Sequence, residues 1–332
     1  MPTTHTDILI IGAGLAGLTA ANTLQRAGYA PLVIDKGRSL GGRLATRRVA
    51  GGLADHGAQF FTVRDAEFQT MVDDWLKRDL AYVWSYGWSD GSTADTPRDG
   101  HPRYAIRGGL NNLAKHLSAG MDCRVNQQVA IIERREDVWV VTLADEAAVY
   151  TARVLLLTAP VPQSLKLLES GGVLLDTSDS DGLKQVAYAP CVCGMFHIEG
   201  DLYLPEPGAL QRPNAEIAWI ADNQRKGISP EARVITLHGG PGFSREHYDD
   251  TDAALISRFT AELVSFMNPN AHIREAHIKR WRYSQPTVLY PARCLAAKGL
   301  PLVFAGDAFG EPRVEGAVLS GLAAAGATVG MV

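Results

Sequence analysis

The sequence predicts an α/β protein with two domains, a three-layer domain built on a parallel sheet and a second domain that is mainly an antiparallel sheet. Three observations lead to this prediction. An apolar strand runs directly into a glycine-rich turn near the N-terminus, a second apolar strand ends on an aspartate, and alternating apolar segments recur between positions 183 and 283. A chain of 332 residues is long enough for two cores of ordinary size.

Charge and composition argue against several classes of protein. The chain has 32 Lys and Arg against 36 Asp and Glu, so it offers no general attraction to nucleic acid or anionic lipid. Its apolar runs are far shorter than the roughly 20 residues that span a bilayer, and the N-terminus lacks the basic region of a secretory signal. The four cysteines lack metal-site spacing. We expect a cytoplasmic protein without metal, nucleic-acid or membrane partners.

The N-terminal segment predicts a binding site for a dinucleotide. Asp7–Ile11 has the continuous apolar character of a strand buried on both faces, and a helix is predicted over Leu18–Arg26. Between them, Gly12 permits a sharp turn, Gly14 lets the backbone approach a pyrophosphate, and Gly17 lets the helix pack closely on the sheet. The positive N-terminus of the helix would face the phosphates.

The second strand strengthens this prediction. Pro31–Ile34 is apolar and ends on Asp35, where a carboxylate can bond ribose hydroxyls. Strand, glycines, helix and acid together favour a Rossmann-like domain, and the alternative is a glycine-rich turn that holds no ligand.

The residues after the second strand distinguish FAD from NAD. Lys36 begins a loop that contains Gly41, Gly42 and Arg43. This Gly-Gly-Arg loop resembles that of the flavin amine oxidase superfamily, in which it runs beside the FAD pyrophosphate and the flavin edge. The resemblance assigns the loop to FAD, and a guanidinium is suited to neutralising phosphate. The alternative is a solvated basic loop.

Later segments resemble the same superfamily, in the expected order. The segment Cys123–Val129 resembles a strand that touches adenine through a backbone group, and Pro301–Phe304 resembles a strand followed by an aspartate on the ribityl hydroxyls. A small-residue helix over Glu315–Ala325 would turn its start toward the flavin pyrimidine. The residues around Cys294 do not form the sequence motif that surrounds a flavin-linked cysteine, so FAD is expected to be bound non-covalently. The residues assigned to FAD are Gly12, Gly14, Leu15, Ala16, Gly17, Asp35, Lys36, Gly42, Arg43, Gln59, Phe60, Val129, Gly306, Asp307, Gly316 and Ala317.

Two more particular phrases, Asp55–Phe61 and Lys279–Pro286, resemble the renalase family, and this resemblance extends over the chain. It implies oxidation of 2- or 6-dihydro isomers of NAD(P)H by hydride transfer to flavin N5. Dioxygen would then reoxidise the flavin and release hydrogen peroxide. The alternatives are an amine oxidase or desaturase on the same scaffold, and a non-catalytic FAD-binding protein.

Hydride transfer to a flavin depends mainly on positioning, so aromatic and amide side chains are better candidates than an acid–base pair. No residue is assigned a catalytic role of its own. His56 is expected to be satisfied by backbone rather than to approach the flavin. Each aromatic candidate could instead belong to the core. The predicted substrate-binding residues are Phe61, Thr62, Trp219, Asn223, Trp281 and Tyr283.

These assignments predict discontinuous domains. The FAD-binding domain is expected to comprise residues 1–75, 100–165 and 288–332, and the substrate-binding domain residues 76–99 and 166–287.

Overall fold

The structure is a computed structural model that describes residues 3–92, 96–145 and 148–332. The strands are β1 Thr3–Ile11, β2 Leu32–Ile34, β3 Thr46–Val49, β4 Gly52–Asp55, β5 Ala81–Ser85, β6 Arg103–Ile106, β7 Cys123–Arg124, β8 Val129–Arg135, β9 Val138–Leu143, β10 Val149–Leu157, β11 Ala187–Glu199, β12 Ala209–Gln211, β13 Ile217–Asp222, β14 Val234–Gly239, β15 His272–Val288, β16 Leu295–Ala296 and β17 Leu302–Phe304. The helices are α1 Leu15–Arg26, α2 Ala66–Lys77, α3 Asn111–Leu117, α4 Val161–Ser170, α5 Thr177–Lys184, α6 Pro241–Glu246, α7 Asp252–Val264 and α8 Arg313–Val329. A short 3-10 helix covers Gly42–Leu44.

The chain divides into two compact units, each assembled from separate segments. Unit 1 consists of Met1–Arg43, Leu113–Ala187 and Pro286–Val332, and unit 2 of Leu44–Asn112 and Tyr188–Gln285. Both units are therefore discontinuous in sequence.

The unit boundaries correct those of the predicted domains. Residues 44–75 and 100–112, predicted in the first domain, belong to unit 2, and residues 166–187 and 286–287, predicted in the second, belong to unit 1. The hairpin of β3 and β4 explains the first difference, because Val49 and Ala54 pack in one apolar cluster with residues of β11 and β14. The predicted segment 76–99 includes residues 93–95, which lie outside the described residues.

Unit 1 is built on a sheet with the strand order β16-β17-β10-β1-β2-β7, to which β9 and β8 are added by antiparallel pairing. β1 is parallel to both β2 and β10, and β10 is parallel to β17. The last four residues of β1 are buried, as expected for a strand covered on both faces. The predicted α/β Rossmann-like domain is confirmed.

Helices α1 and α8 pack closely against each other. A Cβ atom on Gly321 would lie 2.5 Å from the carbonyl oxygen of Ala16, so this contact requires glycine. The small residues of α8 therefore have a packing role in addition to any role in binding.

Some element boundaries differ from the predictions. α1 begins at Leu15, three residues before the predicted start, because Gly14 already forms its N-cap. The strand predicted over Cys123–Val129 is interrupted between β7 and β8, since Asn126 has a left-handed backbone with φ 56°.

Unit 2 contains an antiparallel sheet with the order β12-β13-β14-β11-β15, as well as the hairpins β3-β4 and β5-β6. One face of the sheet is covered by α7, whose Leu255, Phe259 and Leu263 join residues of β11 and β14 in a buried core. The predicted sheet-rich second domain is confirmed. Among the described residues, no helix combines the length and the apolar character that crossing a membrane requires.

Candidate functional site

The carboxyl ends of the parallel strands of unit 1 meet at one edge of the sheet. Ile11 is in register with Ile34 of β2 and Leu157 of β10, and Leu157 is in register with Phe304 of β17. The residues that follow these strands therefore lie side by side. In open α/β sheets this edge is where nucleotides bind.

Two glycines of the first turn are required by the protein's own packing. Gly12 has φ 115°, and a Cβ atom there would lie 2.5 Å from Oγ1 of Thr158. Thr158 Oγ1 donates to the carbonyl oxygen of Gly12 at 2.8 Å, which holds the turn against β10. A Cβ atom on Gly17 would lie 2.0 Å from the same carbonyl oxygen, so any other residue would displace α1.

Gly14 differs from these two glycines. Its φ of −74° suits any residue, and a Cβ atom there would have no neighbour within 4 Å among the described residues. No described side chain caps α1, so the backbone N–H groups of its first turn, starting at Leu15 and Ala16, lack a capping acceptor. An open backbone surface and an uncapped helix N-terminus are what a pyrophosphate requires, so the turn fits a dinucleotide.

Asp35 connects this turn to the loop that follows β2. Its carboxylate accepts hydrogen bonds from the backbone N–H of Ala13 at 2.7 Å and of Gly37 at 2.6 Å. A carboxylate can accept further hydrogen bonds, so Asp35 can also receive ribose hydroxyls. The neighbouring Lys36 is exposed, and its ammonium donates to Oε1 of Gln163 at 3.2 Å.

The Gly-Gly-Arg loop lies against the glycine turn. The N–H of Gly41 donates to the carbonyl oxygen of Ala13 at 2.8 Å, and a Cβ on Gly42 would lie 3.4 Å from Cα of Gly14. The structure thus brings together the two motifs that were assigned to the cofactor.

Arg43 and Asp307 bind each other. The two guanidinium nitrogens Nη1 and Nη2 donate to the two carboxylate oxygens at 2.7 and 2.6 Å. The side chains are 30% and 11% exposed. The sequence predicts that Arg43 contacts phosphate and that Asp307 contacts the ribityl hydroxyls. The structure places these two predicted FAD ligands next to each other, and their charges neutralise each other.

The remaining residues assigned to the cofactor occupy different settings. The N–H of Gly306 donates to Oγ of Ser320 at 2.8 Å, and Ala317 is buried in the second turn of α8. A Cβ on Gly316 would lie 1.7 Å from the carbonyl oxygen of Glu311, so packing within unit 1 accounts for this glycine. Val129 is half-buried at the start of β8.

Gln59 and Phe60, also assigned to the cofactor, lie in unit 2. They adjoin an aromatic cluster of Trp84, Trp88 and Trp219, with ring centroids of Phe60 at 5.0 Å from Trp88 and 5.4 Å from Trp219. Trp219 is buried and its Nε1 donates to Oε1 of Gln59 at 3.2 Å. Phe60 and Tyr82 are partly buried and pack against this cluster.

Besides Trp219, two further predicted substrate-binding residues belong to the core of unit 2. Phe61 is buried against Phe68 and Tyr104. Asn223 is fully buried, and its amide nitrogen donates to the carbonyl oxygen of Val234 and to Oγ1 of Thr236. These two assignments to substrate are corrected, because neither side chain has a surface left for a ligand. Thr62, Trp281 and Tyr283 are partly exposed.

Sequence reasoning missed a buried ion pair in unit 2. The ammonium of Lys226 lies 2.6 Å from Oδ2 of Asp55, and both side chains have 0% exposure. The same ammonium donates to the carbonyl oxygen of Gln59 at 2.6 Å, and the carboxylate also accepts from Oγ1 of Thr46 and the N–H of Leu110. Burial lowers the pKa of Lys226, and the attraction of Asp55 opposes this effect. The residues are 171 positions apart, and no motif links them.

A second missed group surrounds Trp281. Its ring stacks on His56, with centroids 5.4 Å apart, and its Nε1 donates to the backbone oxygen of His56 at 2.8 Å. Burial, together with Lys279 and Arg47, lowers the pKa of His56 to about 4. Burial and the nearby His56 lower the pKa of His238 to about 4 as well. Both imidazoles are therefore neutral at pH 7.

The expectation that His56 is satisfied by backbone is wrong for one ring atom. Its Nδ1 is buried, and it has no hydrogen-bond partner in the part of the chain that the structure describes.

The fold and the turn of unit 1 define a dinucleotide-binding flavoprotein. A family described as NAD(P)-binding Rossmann-like domain matches residues 10–75, and a family described as flavin containing amine oxidoreductase matches residues 94–329. The second match covers more than half of the chain. The chain therefore belongs to the flavin containing amine oxidoreductase family, and its cofactor is FAD.

Similar proteins agree with this membership. A protein named as a flavin-containing monoamine oxidase, AofH of Mycobacterium tuberculosis, is 48% identical over 54 residues, 16% of this chain and 12% of that protein. The 1-hydroxycarotenoid 3,4-desaturase of a Flavobacterium species is 33% identical over 122 residues, 33% of this chain and 25% of the desaturase. These matches thus span a quarter or less of each relative.

Among solved structures, wild-type putrescine oxidase bound to putrescine superposes with a TM-score of 0.72 over 99% of this chain and 100% of that chain. The identity is 14%, so the likeness concerns the fold.

Proposed function

We propose that this protein is an FAD-dependent oxidase of 2- or 6-dihydro isomers of NAD(P)H. Bound FAD would supply the acceptor for a hydride, that is two electrons and a proton, from the substrate. Dioxygen accepts the two electrons and, with one further proton from water, leaves as hydrogen peroxide. The organic product is ordinary NAD(P)+.

One observation carries this proposal. Residues 55–61 and residues 279–285, which make up the first and nearly all of the second segment that resemble the renalase family, lie in unit 2 and meet at the hydrogen bond from Trp281 Nε1 to the backbone oxygen of His56, although these two residues are 225 positions apart. The phrases therefore contribute to one local structure, which supports a shared role in binding the substrate.

In unit 1, Gly14 and the first turn of α1 would receive the pyrophosphate, and Asp35 would receive a ribose. Arg43 and Asp307 would contact the phosphate and the ribityl chain, as the resemblance implies. Bound FAD supplies a two-electron acceptor, and we expect it to be released intact from the denatured protein, as a non-covalent group is.

In unit 2, we assign the substrate to the partly exposed side chains Phe60, Thr62, Trp281 and Tyr283. Trp219 would act by packing against Phe60 rather than by contact. The hydride donor becomes a cationic pyridinium as it reacts, and a neutral His56 and His238 impose no repulsion on that charge. These side chains are better suited to positioning the substrate than to acid–base catalysis.

The second candidate is an amine oxidase. It is favoured by a 35% identity over 68 residues with the putrescine oxidase of Kocuria rosea. Desaturation and non-catalytic FAD binding are further alternatives.

Anaerobic stopped-flow mixing tests these candidates. The holoprotein is mixed with 2- or 6-dihydro-NAD(P) in one series and with putrescine in another, and flavin absorbance is followed. We expect rapid bleaching with at least one dinucleotide isomer and no change with putrescine. Bleaching by putrescine alone would reject the proposal in favour of the amine oxidase, and a flavin that no substrate reduces would favour a non-catalytic protein.

A further inference from the structure

One face of β15 combines an aromatic ring with positive charge. His277, Lys279 and Trp281 occupy alternate positions of the strand and so share a side. The ammonium of Lys279 lies 4.9 Å from the centroid of the Trp281 ring, and that ring stacks on His56 with an interplanar angle of 18°. We call Arg47, His56, His277, Lys279 and Trp281 the Trp281 face.

Arg47 of β3 adds a second cation. Its Nη2 donates to Nδ1 of His277 at 3.2 Å, and Nε2 of His277 bonds to Oε1 of Glu275. This contact orients the guanidinium of Arg47 beside β15.

The two cations of the Trp281 face have no carboxylate partner. Within residues 3–92, 96–145 and 148–332, no Asp or Glu forms an ion pair with Arg47 or Lys279. The acid on this side of β15, Glu275, is engaged by His277. Most other arginines of unit 2 are paired, including Arg103, Arg225 and Arg280.

The ring under Trp281 also has an unused hydrogen-bonding atom. His56 is 8% exposed, and its Nδ1 has no partner in the described chain. Buried polar atoms are nearly always hydrogen-bonded, so this atom points to a bound group. Cations without a carboxylate partner can bind phosphate, and an aromatic ring beside them can stack on a planar ring. The two together are suited to a ligand that contains both a planar ring and a phosphate group.

We propose that the Trp281 face binds the phosphate-bearing part of the dinucleotide substrate, with Arg47 and Lys279 contacting phosphate oxygens beside Trp281. This inference rests on the proposed function, and it names the residues that would distinguish a dinucleotide from other substrates. A dinucleotide gains two charge-assisted contacts, a riboside lacks them, and a diamine such as putrescine is repelled.

The experiment compares R47Q/K279Q holoprotein with wild type. The substrates are 2-dihydro-NAD and 2-dihydronicotinamide riboside, which lacks phosphate. We expect KM for the dinucleotide to rise about tenfold or more, because each lost contact is charge-assisted, with kcat nearly unchanged and with KM for the riboside unchanged. K279R retains the charge and should retain most of the affinity.

Arg48 provides the matched control. It follows Arg47 on β3, is exposed, and points to the opposite side of the strand. R48Q removes the same charge from the same strand and should leave KM for both substrates unchanged.

Several outcomes would overturn the inference. An equal change in KM for dinucleotide and riboside would indicate a general disturbance of the site, and an unchanged KM for the dinucleotide would exclude the contacts. Loss of bound FAD from R47Q/K279Q would indicate that the phosphates belong to the cofactor instead.

A binding measurement separates this inference from the proposed function. NAD+ is titrated into wild type and R47Q/K279Q while tryptophan fluorescence is followed. If wild type oxidises neither substrate, the proposed function fails. Weaker NAD+ binding in R47Q/K279Q would then still support the phosphate contacts, and equal or absent binding would reject them.

Discussion

Two of the ion pairs that join distant parts of the chain differ in their access to solvent. Arg43 and Asp307 of unit 1 are 264 positions apart and partly exposed, whereas Lys226 and Asp55 of unit 2 are wholly buried. The exposed pair can exchange partners with a ligand. The buried pair has no such freedom, because the hydrogen bonds of both groups end inside unit 2.

This difference separates an ion pair that is able to bind a ligand from an ion pair that only stabilises the fold. Removing an exposed partner leaves a group that water can hydrate, but removing a buried partner leaves a charge in a medium that solvates it poorly. The predictions below test this contrast, beginning with the largest expected effect.

The substitution Lys226→Met should destabilise the protein by about 3–5 kcal/mol, because Asp55 would remain buried without its cation. The free energy of unfolding of the holoprotein in urea measures this effect. The double variant K226M/D55N should be less destabilised than K226M. A loss below 1 kcal/mol in K226M would show that the pair is not buried in solution.

Acid should weaken the region around the buried pair. His56 and His238 have pKa values of about 4 in the folded protein against 6.5 ordinarily, so the unfolded chain binds more protons between these pH values. Their contribution to stability is complete above pH 6.5 and is lost as the pH falls toward 4. The change should amount to about 3 kcal/mol or less for each histidine.

Urea midpoints from pH 4 to 7 measure this dependence. His56→Phe keeps a ring against Trp281 but cannot bind a proton, so its stability should vary less over the same range. A slope identical to that of wild type would show that His56 titrates normally.

The substitution Gly14→Val should weaken FAD binding by about tenfold or more, since the side chain would occupy the approach of the pyrophosphate. The fold should be retained, because a Cβ atom at this position has no described neighbour within 4 Å. Retained FAD after dialysis is the measurement. Equal cofactor content in the variant and wild type would contradict the assignment.

Gly17→Val is the contrasting control for Gly14→Val. A Cβ atom there would lie 2.0 Å from the carbonyl oxygen of Gly12, so this variant should lose stability as well as FAD.

The smallest effect on stability is expected for Arg43→Met, the counterpart of Lys226→Met in the exposed pair. We expect a loss of about 1 kcal/mol or less, because the side chain of Arg43 is 30% exposed and the pair is only partly desolvated. Bound FAD should nevertheless decrease. Urea unfolding and cofactor content measured on the same preparation separate the two effects, and a stability loss as large as that of K226M would erase the contrast between the pairs.

The sequence was sufficient to predict unit 1 because its requirements are local. Gly12, Gly14 and Gly17 follow a strand within six residues, and Asp35 follows the next strand. Each position has a steric or hydrogen-bonding reason that can be stated without knowing the fold.

Unit 2 was predicted less completely, because its polar groups meet across long separations. Nothing near Lys226 indicates that it pairs with Asp55, and Asn223 has the same residue type whether it binds a ligand or Val234 and Thr236. The domain boundary near residue 43 was missed for a related reason. The hairpin of β3 and β4 packs with strands that come more than 130 positions later.

The interleaving of segments in unit 1 has a consequence for biosynthesis. Strand β17 completes the parallel sheet beside β10, and α8 packs on α1 through Gly321, yet both elements belong to the last segment of the chain. The coenzyme pocket therefore cannot be finished while the C-terminal segment is still inside the ribosome. Coenzyme capture must therefore wait for the synthesis of β17 and α8, and the loss of α8 should impair holoprotein formation as strongly as a defect in the turn after β1.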